Sequence, residues 1–545
     1  MEKLVTGERK NLTVDSLYED IDYTHLRNIG TSSILRILSK HITALRRFQK
    51  PVAKLFKDPK FGAVHPLELR KSRIYPMGTS GINEGSPGGV SDVLDDLILD
   101  QLGIPPERFD DLLLAVGGDG MTIDFLRMAM QYLEQESTAF NCRSWVIPVI
   151  QPWHMGWSYL KVLFRTHWHD QTGKEIFGLR RSTGAIGRQL NVDECEYYAC
   201  LEAVETVFES LILSATRSIL RRDHGGHPTV LETGKAPQLL EDLEHIFTDQ
   251  GDQWTLETLL DLAGKVYDEW LTTDAYHKAL SVPTSSDPTS QDLGSAILEN
   301  MDSLFTGLAL GTQVNSSRPT IAIRQNLPNT FPLPASILCG DQVLANMKLL
   351  MRDSFYMLEW DNSMSEGDPG RMFKIMKIFL FSLPGCFIFW GTNATHYGNE
   401  LLEWECKFQY EYPEKLKQAL MENYLVNPSG QSGHWQAGDL LQEHHNKKIK
   451  EIQNSKVGEY DDPFIRESVS LNISGLAQLE DRMFDELELT RTSKRHAAAK
   501  LKGDINVLGS HFEKERVLEF APHRRQPYEF HAANQRGPEQ CQRTG

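Results

Sequence analysis

Two short apolar runs, each followed by a stretch with helical periodicity, restrict the folds open to this chain more than any other feature. The first run, LLLAV at 112–116, ends in Gly117-Gly118-Asp119-Gly120 and precedes a helical pattern over 122–135. The second lies in SWVIPVIQPWH (144–154) and precedes WSYLKVLFRTHWH. This order predicts buried strands alternating with helices, in an α/β layer whose strands are at least partly parallel.

Long helical patterns dominate after residue 194, so the predicted class is α/β with a large all-helical portion. The first 75 residues, in which 17–30 have a strand-like composition, are expected to contribute the first strand and helix of the core. The remaining predicted units are an α/β core over 76–193, a helical insertion over 194–330, a helical part completing the core over 331–485, and a basic, poorly ordered tail over 486–545.

Composition narrows the class of protein. A net charge of −17 excludes a chain that binds polyanions through overall positive charge. No apolar run reaches the length of a membrane span, and seven cysteines do not suggest a disulfide framework, so we expect an intracellular protein without a membrane partner. Basic runs at 447–450 and 491–502 are typical of solvated helix faces or tails, and the second could also act as a nuclear import signal.

The GGDG stretch has three interpretations. Gly117, Gly118 and Gly120 could simply form a tight strand-to-helix turn in which Asp119 accepts backbone hydrogen bonds. The stretch also resembles the GGDGT element of NAD kinases and diacylglycerol kinases, where glycine amides hold phosphate; Met121 stands in place of the threonine. In the third interpretation, the glycines present the Asp119 carboxylate at a strand end.

The third interpretation gains weight from the order of acidic residues along the chain. Glu19, Asp20 and Asp22 come early, Asp119 follows a strand, and Glu400 lies in a helical pattern beyond the insertion. This is the order of a ribonuclease-H-like nuclease or transposase core interrupted by a helical insertion. Three carboxylates can hold the two Mg²⁺ or Mn²⁺ ions that cleave and join DNA phosphodiesters, so both the metal and DNA are expected.

Six segments in this order resemble a large uncharacterised domain-of-unknown-function family, abundant in mushroom-forming fungi and found in invertebrates. They are YEDIDY (18–23), GGDGMT (117–122), VIPVIQPWHMGWSYLKVLF (146–164), MSEGDPGRMFKIMKIFLF (364–381), THYGNELLEW (395–404) and DLLQEHHNKKIK (439–450). The resemblance covers about residues 17–480. It implies a transposon-derived protein whose second and third motifs are similar to those of Mutator-type transposases.

The resemblance also assigns roles to residues. Asp119 would be the second metal-binding acid, Glu400 the third, and His154 a histidine near the site. Glu443 is an alternative third acid, and the first acid is open among Glu19, Asp20 and Asp22, with Asp20 and Asp22 carried forward as catalytic candidates and Asp22 also as a metal ligand.

Two departures from the family pattern bear on catalysis. Glu19 replaces the leading Asp of Y-D-N-I-D, and Gly120 replaces the Gln that follows the second acid. The expected function is therefore a transposase-derived protein, with a non-catalytic DNA- or protein-binding descendant as the alternative and a GGDG-type kinase as a third. A homo-oligomer would suit the first.

Overall fold

Helices form most of the protein. The computed structural model describes residues 13–169, 177–223, 238–249, 251–281, 340–387, 400–456, 459–460, 462–486 and 501–524. The helices of the first half are α1 (Val14–Glu19), α2 (Tyr23–His41), α3 (Gln49–Leu55), α4 (Pro87–Asp95), α5 (Gly120–Tyr132), α6 (Pro152–His167), α7 (Leu179–Ala185), α8 (Tyr197–Asp223), α9 (Leu239–Asp249), α10 (Leu256–Trp270) and α11 (Thr273–Leu280).

The helices of the second half are α12 (Gln342–Glu366), α13 (Pro369–Phe387), α14 (Glu414–Asn423), α15 (Gly438–Lys456), α16 (Ile473–Glu486) and α17 (Leu501–Lys514), and residues 400–406 are also helical. The strands are β1 (Leu114–Gly118), β2 (Val146–Ile150), β3 (Leu425–Val426) and β4 (Gln436–Ala437). The large helical portion is therefore confirmed, and no described helix is long and apolar enough to cross a membrane.

The predicted strand–helix–strand–helix unit is present as β1, α5, β2 and α6. The two strands pair in parallel, from Leu114 opposite Val146 to Gly118 opposite Ile150. All of β2 is buried, but β1 alternates between half-buried and exposed residues. The first run was predicted to be a buried strand; β1 is instead only half-buried, with Ala115 exposed.

The prediction of a core strand near the N-terminus is wrong, because α1 and α2 occupy that segment. Thr13 and Ser16 form a capping box at the start of α1, and Asp22 caps α2 by accepting a hydrogen bond from the His25 amide at 2.9 Å. Leu26 and Ile29 then begin a buried stripe with helical spacing. The caps are local signals that outweigh the strand-like composition.

The main hydrophobic core is shared by helices from all five predicted units. It joins α2, α6, α8, α10, α12 and α17, and a smaller second core lies beneath α4, α5 and the amino end of β2. Close packing is evident at Gly30 of α2, where an added Cβ would lie 2.3 Å from the Tyr267 ring. The helices of the predicted insertion thus pack in one core with the N-terminal helices. The domain boundaries given above remain predictions.

A buried ion pair ties α12 to α13. The Arg371 guanidinium donates two hydrogen bonds to the Glu359 carboxylate, at 2.7 and 2.9 Å, and it also contacts Glu366. The side chains of Arg371 and Glu359 are each 1% exposed. Because both charges are withdrawn from water, each depends on the other for its stabilisation.

The segment predicted to be a poorly ordered tail contains a packed helix. Ile505, Leu508 and Phe512 of α17 are fully buried against α8 and α9. Beyond it, the Arg524 guanidinium pairs with buried Asp341, whose carboxylate also accepts a hydrogen bond from the Leu344 amide at the start of α12. The prediction is corrected for 501–524, and 487–500 and 525–545 lie outside the described residues.

Candidate functional site

The carboxyl ends of β1 and β2 meet at one edge of the sheet. The Gln151 amide donates to the Gly118 carbonyl at 3.0 Å, so the strands stay paired up to the residues where α5 and α6 begin. The Tyr424 hydroxyl donates to the Ile150 carbonyl at 2.9 Å and attaches the β3–β4 segment to the same edge. In open α/β sheets this edge, outside the carboxyl ends of the strands, is where ligands bind.

Asp119 lies at this edge as the N-cap of α5. Its carboxylate accepts a hydrogen bond from the Thr122 amide at 2.8 Å. The preceding glycines allow neighbouring side chains to approach the backbone closely. A Cβ on Gly118 would lie 2.8 Å from the Thr122 side chain, and one on Gly117 would lie 2.4 Å from the side-chain amide nitrogen of Gln151. Both the turn interpretation and the presentation of a carboxylate at a strand end agree with this geometry.

His154, in the first turn of α6, is held by Asp439 of α15. The Asp439 carboxylate accepts hydrogen bonds from the backbone amides of Trp153 at 3.3 Å and His154 at 3.0 Å, and it lies 3.0 Å from the His154 Nδ1. One side chain therefore caps α6 and orients the imidazole. Asp439 is the residue that sequence reasoning missed, although it opens the DLLQEHHNKKIK motif.

The charges around His154 define the electrostatics of this edge. Burial lowers the pKa of His154, but the hydrogen bond and charge of Asp439, together with the charges of Asp119 and Glu443, raise it above its ordinary value. Glu84 lies at the exposed rim, where the surrounding protein and the charge of Asp119 raise the pKa of its carboxyl group. We call Glu84, Asp119, His154, Asp439 and Glu443 the acidic edge.

Glu400 has a different setting, against the side of α5. It is buried, and its carboxylate lies 3.1 Å from the Arg127 Nε. Burial raises the pKa of Glu400 to about 7; Arg127 opposes this shift and the charge of Asp124 adds to it. The charges that act on Glu400 thus come from α5 and from Lys407, whereas Glu443, the alternative third acid, acts on His154.

Asp20 and Asp22 lie against lysines of α13. Asp22 pairs with Lys374 at 3.1 Å, and Asp20 pairs with Lys377 at 3.4 Å. Burial raises the pKa of Asp22, but the hydrogen bonds from the His25 amide and Lys374 outweigh it and lower the pKa below its ordinary value. Asp20 and Asp22, two of the three candidates for the first acid, therefore have cationic partners, and Asp22 also has a structural role as a helix cap.

The structure thus brings together Asp119, His154 and Glu443 and adds Glu84 and Asp439. Asp20 and Asp22 lie instead against lysines of α13, and Glu400 lies against Arg127 of α5. Within the described part of the chain, no group of three or more histidine, cysteine, aspartate or glutamate side chains is arranged to hold a metal ion.

A family model matches most of the chain. The model of a family of unknown function (DUF6589) matches residues 7–496, which include every residue of the acidic edge. The chain belongs to this family. No curated protein and no solved structure matches this DUF6589 member.

Proposed function

We propose that this DUF6589 protein derives from a transposon-encoded transposase with a ribonuclease-H-like core, and that the acidic edge is its site for DNA phosphodiesters. The observation that carries the proposal is the placement of Asp119 and the Asp439-oriented His154 together at the carboxyl edge of a parallel strand pair. Such edges collect functional side chains from segments distant in sequence.

The chemistry of the acidic edge favours a cation-dependent reaction. Its carboxylates would repel a phosphate, so DNA would approach only with a divalent cation, and carboxylate oxygens are the ligands that Mg²⁺ and Mn²⁺ prefer. The described side chains do not form a three-ligand metal site, so no step is assigned to the ion itself. Asp119, Glu84 and Glu443 are the carboxylates that could move to meet it.

His154 supplies proton transfer in this proposal. Its Nδ1 faces Asp439, which leaves Nε2 to accept a proton from water or a 3′-hydroxyl. Because Asp439 raises the pKa of His154 above its ordinary value, the imidazole is a stronger base than an unpaired histidine. Asp439 acts through His154 as a positioning residue.

The test is cleavage or joining of plasmid and oligonucleotide DNA by the purified chain with Mg²⁺ or Mn²⁺. We expect Asp119→Asn to abolish activity, and His154→Asn to lower it by about 100-fold or more. Asp261→Asn, in α10, serves as a matched control and should leave activity intact. Cleavage that persists in Asp119→Asn would refute the assignment of the acidic edge.

A non-catalytic descendant that binds DNA or protein is the second candidate. It is favoured by the ion pairs of Asp20, Asp22 and Glu400, because lysine and arginine partners occupy the carboxylates assigned to the metal. This candidate predicts DNA binding without cleavage, in a gel-shift assay that Asp119→Asn leaves unchanged. Nuclear location and a homo-oligomer belong to the first proposal.

The kinase interpretation is disfavoured by charge. A phosphate at the start of α5 would meet the Asp119 carboxylate, which already accepts the Thr122 amide hydrogen bond. A thermal-shift screen with ATP and NAD, repeated on Gly118→Ala, tests this interpretation; stabilisation of the native chain alone would restore it.

A further inference from the structure

A segment that is neither helix nor strand, residues 66–81, carries a row of exposed side chains. From 71 to 76 the exposure alternates: Lys71, Arg73 and Tyr75 are exposed, and the residues between them, Ser72, Ile74 and Pro76, are half-buried. A period of two is typical of an extended chain, in which successive side chains point to opposite sides. The three exposed side chains therefore share one side of the chain, and we call Lys71, Arg73 and Tyr75 the basic strip.

Hydrogen bonds hold the backbone of the basic strip in place. The Ser72 amide donates to the Asn427 carbonyl at 2.9 Å, and the Asn427 amide donates back to the Ser72 hydroxyl at 2.8 Å. On one side of the strip the Arg70 guanidinium donates to the Glu422 carbonyl at 2.7 Å. On the other side the Gly78 amide donates to the Gln101 side chain at 2.8 Å. A ligand would thus meet a preformed surface, which lowers the entropic cost of binding.

The elements that hold the basic strip also belong to the acidic edge. Asn427 follows β3 directly, and the Tyr424 hydroxyl that precedes β3 is bonded to the Ile150 carbonyl at the end of β2. In the other direction the chain continues from Tyr75 to Glu84, whose carboxyl group is affected by the charge of Asp119. The basic strip and the acidic edge are therefore joined through the same strand pair and the same segment.

Positive charge at the basic strip contrasts with the rest of the protein. The whole chain has a net charge of −17, but residues 67–77 contain three cations and a single carboxylate, Glu68. Within the described ranges, Lys71 and Arg73 form no ion pair and no side-chain hydrogen bond. Both cations are thus available to a polyanion, and contacts of this kind supply most of the affinity for nucleic acid backbones.

Tyr75 adds a feature that a simple charge patch lacks. Its side chain is 79% exposed, the highest fraction among the large apolar and aromatic side chains of the described residues. An exposed aromatic ring beside cations is the combination with which proteins bind single strands, because unpaired bases stack on the ring while the cations contact the backbone. A duplex offers no free base face to such a ring.

We propose that the basic strip binds single-stranded DNA, with Lys71 and Arg73 against phosphates and Tyr75 stacked on a base. The choice of DNA as the polyanion rests on the proposed function, and the strip specifies which form of DNA is held and by which residues. A single strand on the strip would flank the phosphodiester at the acidic edge. Binding itself requires neither a divalent cation nor cleavage.

The experiment measures binding of the full chain to a fluorescein-labelled oligothymidylate by fluorescence anisotropy, with a duplex of the same length as the second probe. We expect tighter binding of the single strand. Tyr75→Ala should weaken this binding by about 5- to 100-fold, because one stacked base is lost. Lys71→Gln and Arg73→Gln should each weaken it and make the slope of log affinity against log salt shallower by about 0.7.

Matched controls remove the same types of side chain outside the basic strip. Tyr132 of α5 is 70% exposed and Lys50 of α3 is exposed, so Tyr132→Ala and Lys50→Gln should keep the native affinity. The substituted side chains of the strip are exposed as well, and all these variants should keep the native melting temperature. Asp119→Asn should also bind the oligothymidylate as the native chain does, which separates this test from the test of cleavage.

Two results would overturn the proposal. The first is native affinity for the oligothymidylate in both Tyr75→Ala and the double variant Lys71→Gln/Arg73→Gln. The second is displacement of the oligonucleotide by polyglutamate of equal charge as readily as by unlabelled oligothymidylate, which would identify the ligand as an acidic peptide. Loss of cleavage in Asp119→Asn with binding retained would agree with both proposals, whereas binding without any cleavage would refute only the proposed catalysis.

Discussion

Replacement of Glu400 by glutamine tests whether its buried carboxyl group is costly to ionise. Burial raises its pKa from the ordinary 4.5 to about 7, while its side chain is 6% exposed. The unfolded chain releases the proton above pH 4.5, so folding becomes progressively less favourable as the pH rises to about 7. At about 1.4 kcal/mol per pH unit, the full cost is about 3 kcal/mol.

Glutamine cannot ionise, so Glu400→Gln should escape this cost. Between about pH 5 and pH 8, the free energy of unfolding of the variant should rise relative to the native chain by about 2.5 kcal/mol. Urea unfolding followed by tryptophan fluorescence at several pH values measures the difference. Any loss of contact with Arg127 changes the free energy of unfolding by a nearly constant amount at all pH values. The prediction therefore concerns how the difference in free energy between variant and native chain changes with pH.

Glu403→Gln is the matched control. The Glu403 carboxylate approaches the same Arg127 guanidinium at 3.8 Å, but its side chain is 29% exposed. The pH-dependent gain of Glu400→Gln should exceed any change of stability in Glu403→Gln, because the Glu403 carboxylate keeps more of its contact with water. Parallel pH profiles for the native chain and Glu400→Gln would refute the reasoning and show that Glu400 is ionised as readily in the folded protein as in the unfolded one.

Three further predictions concern the edge and the core. Asp439→Asn should lower the pKa of His154, which an NMR titration measures. The substitution should also remove a stabilisation of the folded protein that is present below about pH 6.5 and is lost as the pH rises through the raised pKa. An unchanged titration of His154 would contradict its pairing with Asp439. Arg371→Met should cost about 3–5 kcal/mol in urea unfolding, because it strands a buried carboxylate, whereas Arg27→Met, at an exposed pair, should cost under about 1 kcal/mol. Gly30→Ala should destabilise by about 1–3 kcal/mol despite the helix preference for alanine, and a higher melting temperature would exclude the close contact in α2.

Much of the α/β unit could be predicted because its signals are local. The apolar runs, the glycines that end β1 and the Asp119 cap are local signals, and each sets the conformation of its own segment. The exposure of β1 could not be predicted this way. An apolar run does not show how much of a strand other elements cover, and β2 is fully buried while β1 is not.

The N-terminal error has a different cause. The composition of 17–30 is typical of a strand, but the capping box at Thr13 and the cap at Asp22 start two helices in this segment. The segment that forms α17 was predicted to be poorly ordered because basic residues precede it in the sequence. Both helices are anchored by burial against partners far along the chain, and composition carries no trace of those partners.

The sequence by itself determined that this chain has parallel strands joined through a helix, a large helical remainder, membership of its family and a carboxylate at the end of β1. Only the tertiary structure decided which charged side chains meet: Asp439 reaches His154 from 285 positions away, and Asp22 and Glu400 face cations instead of one another. The physical reason is that a carboxylate takes its protonation and its role from its neighbours in space, and packing alone chooses those neighbours.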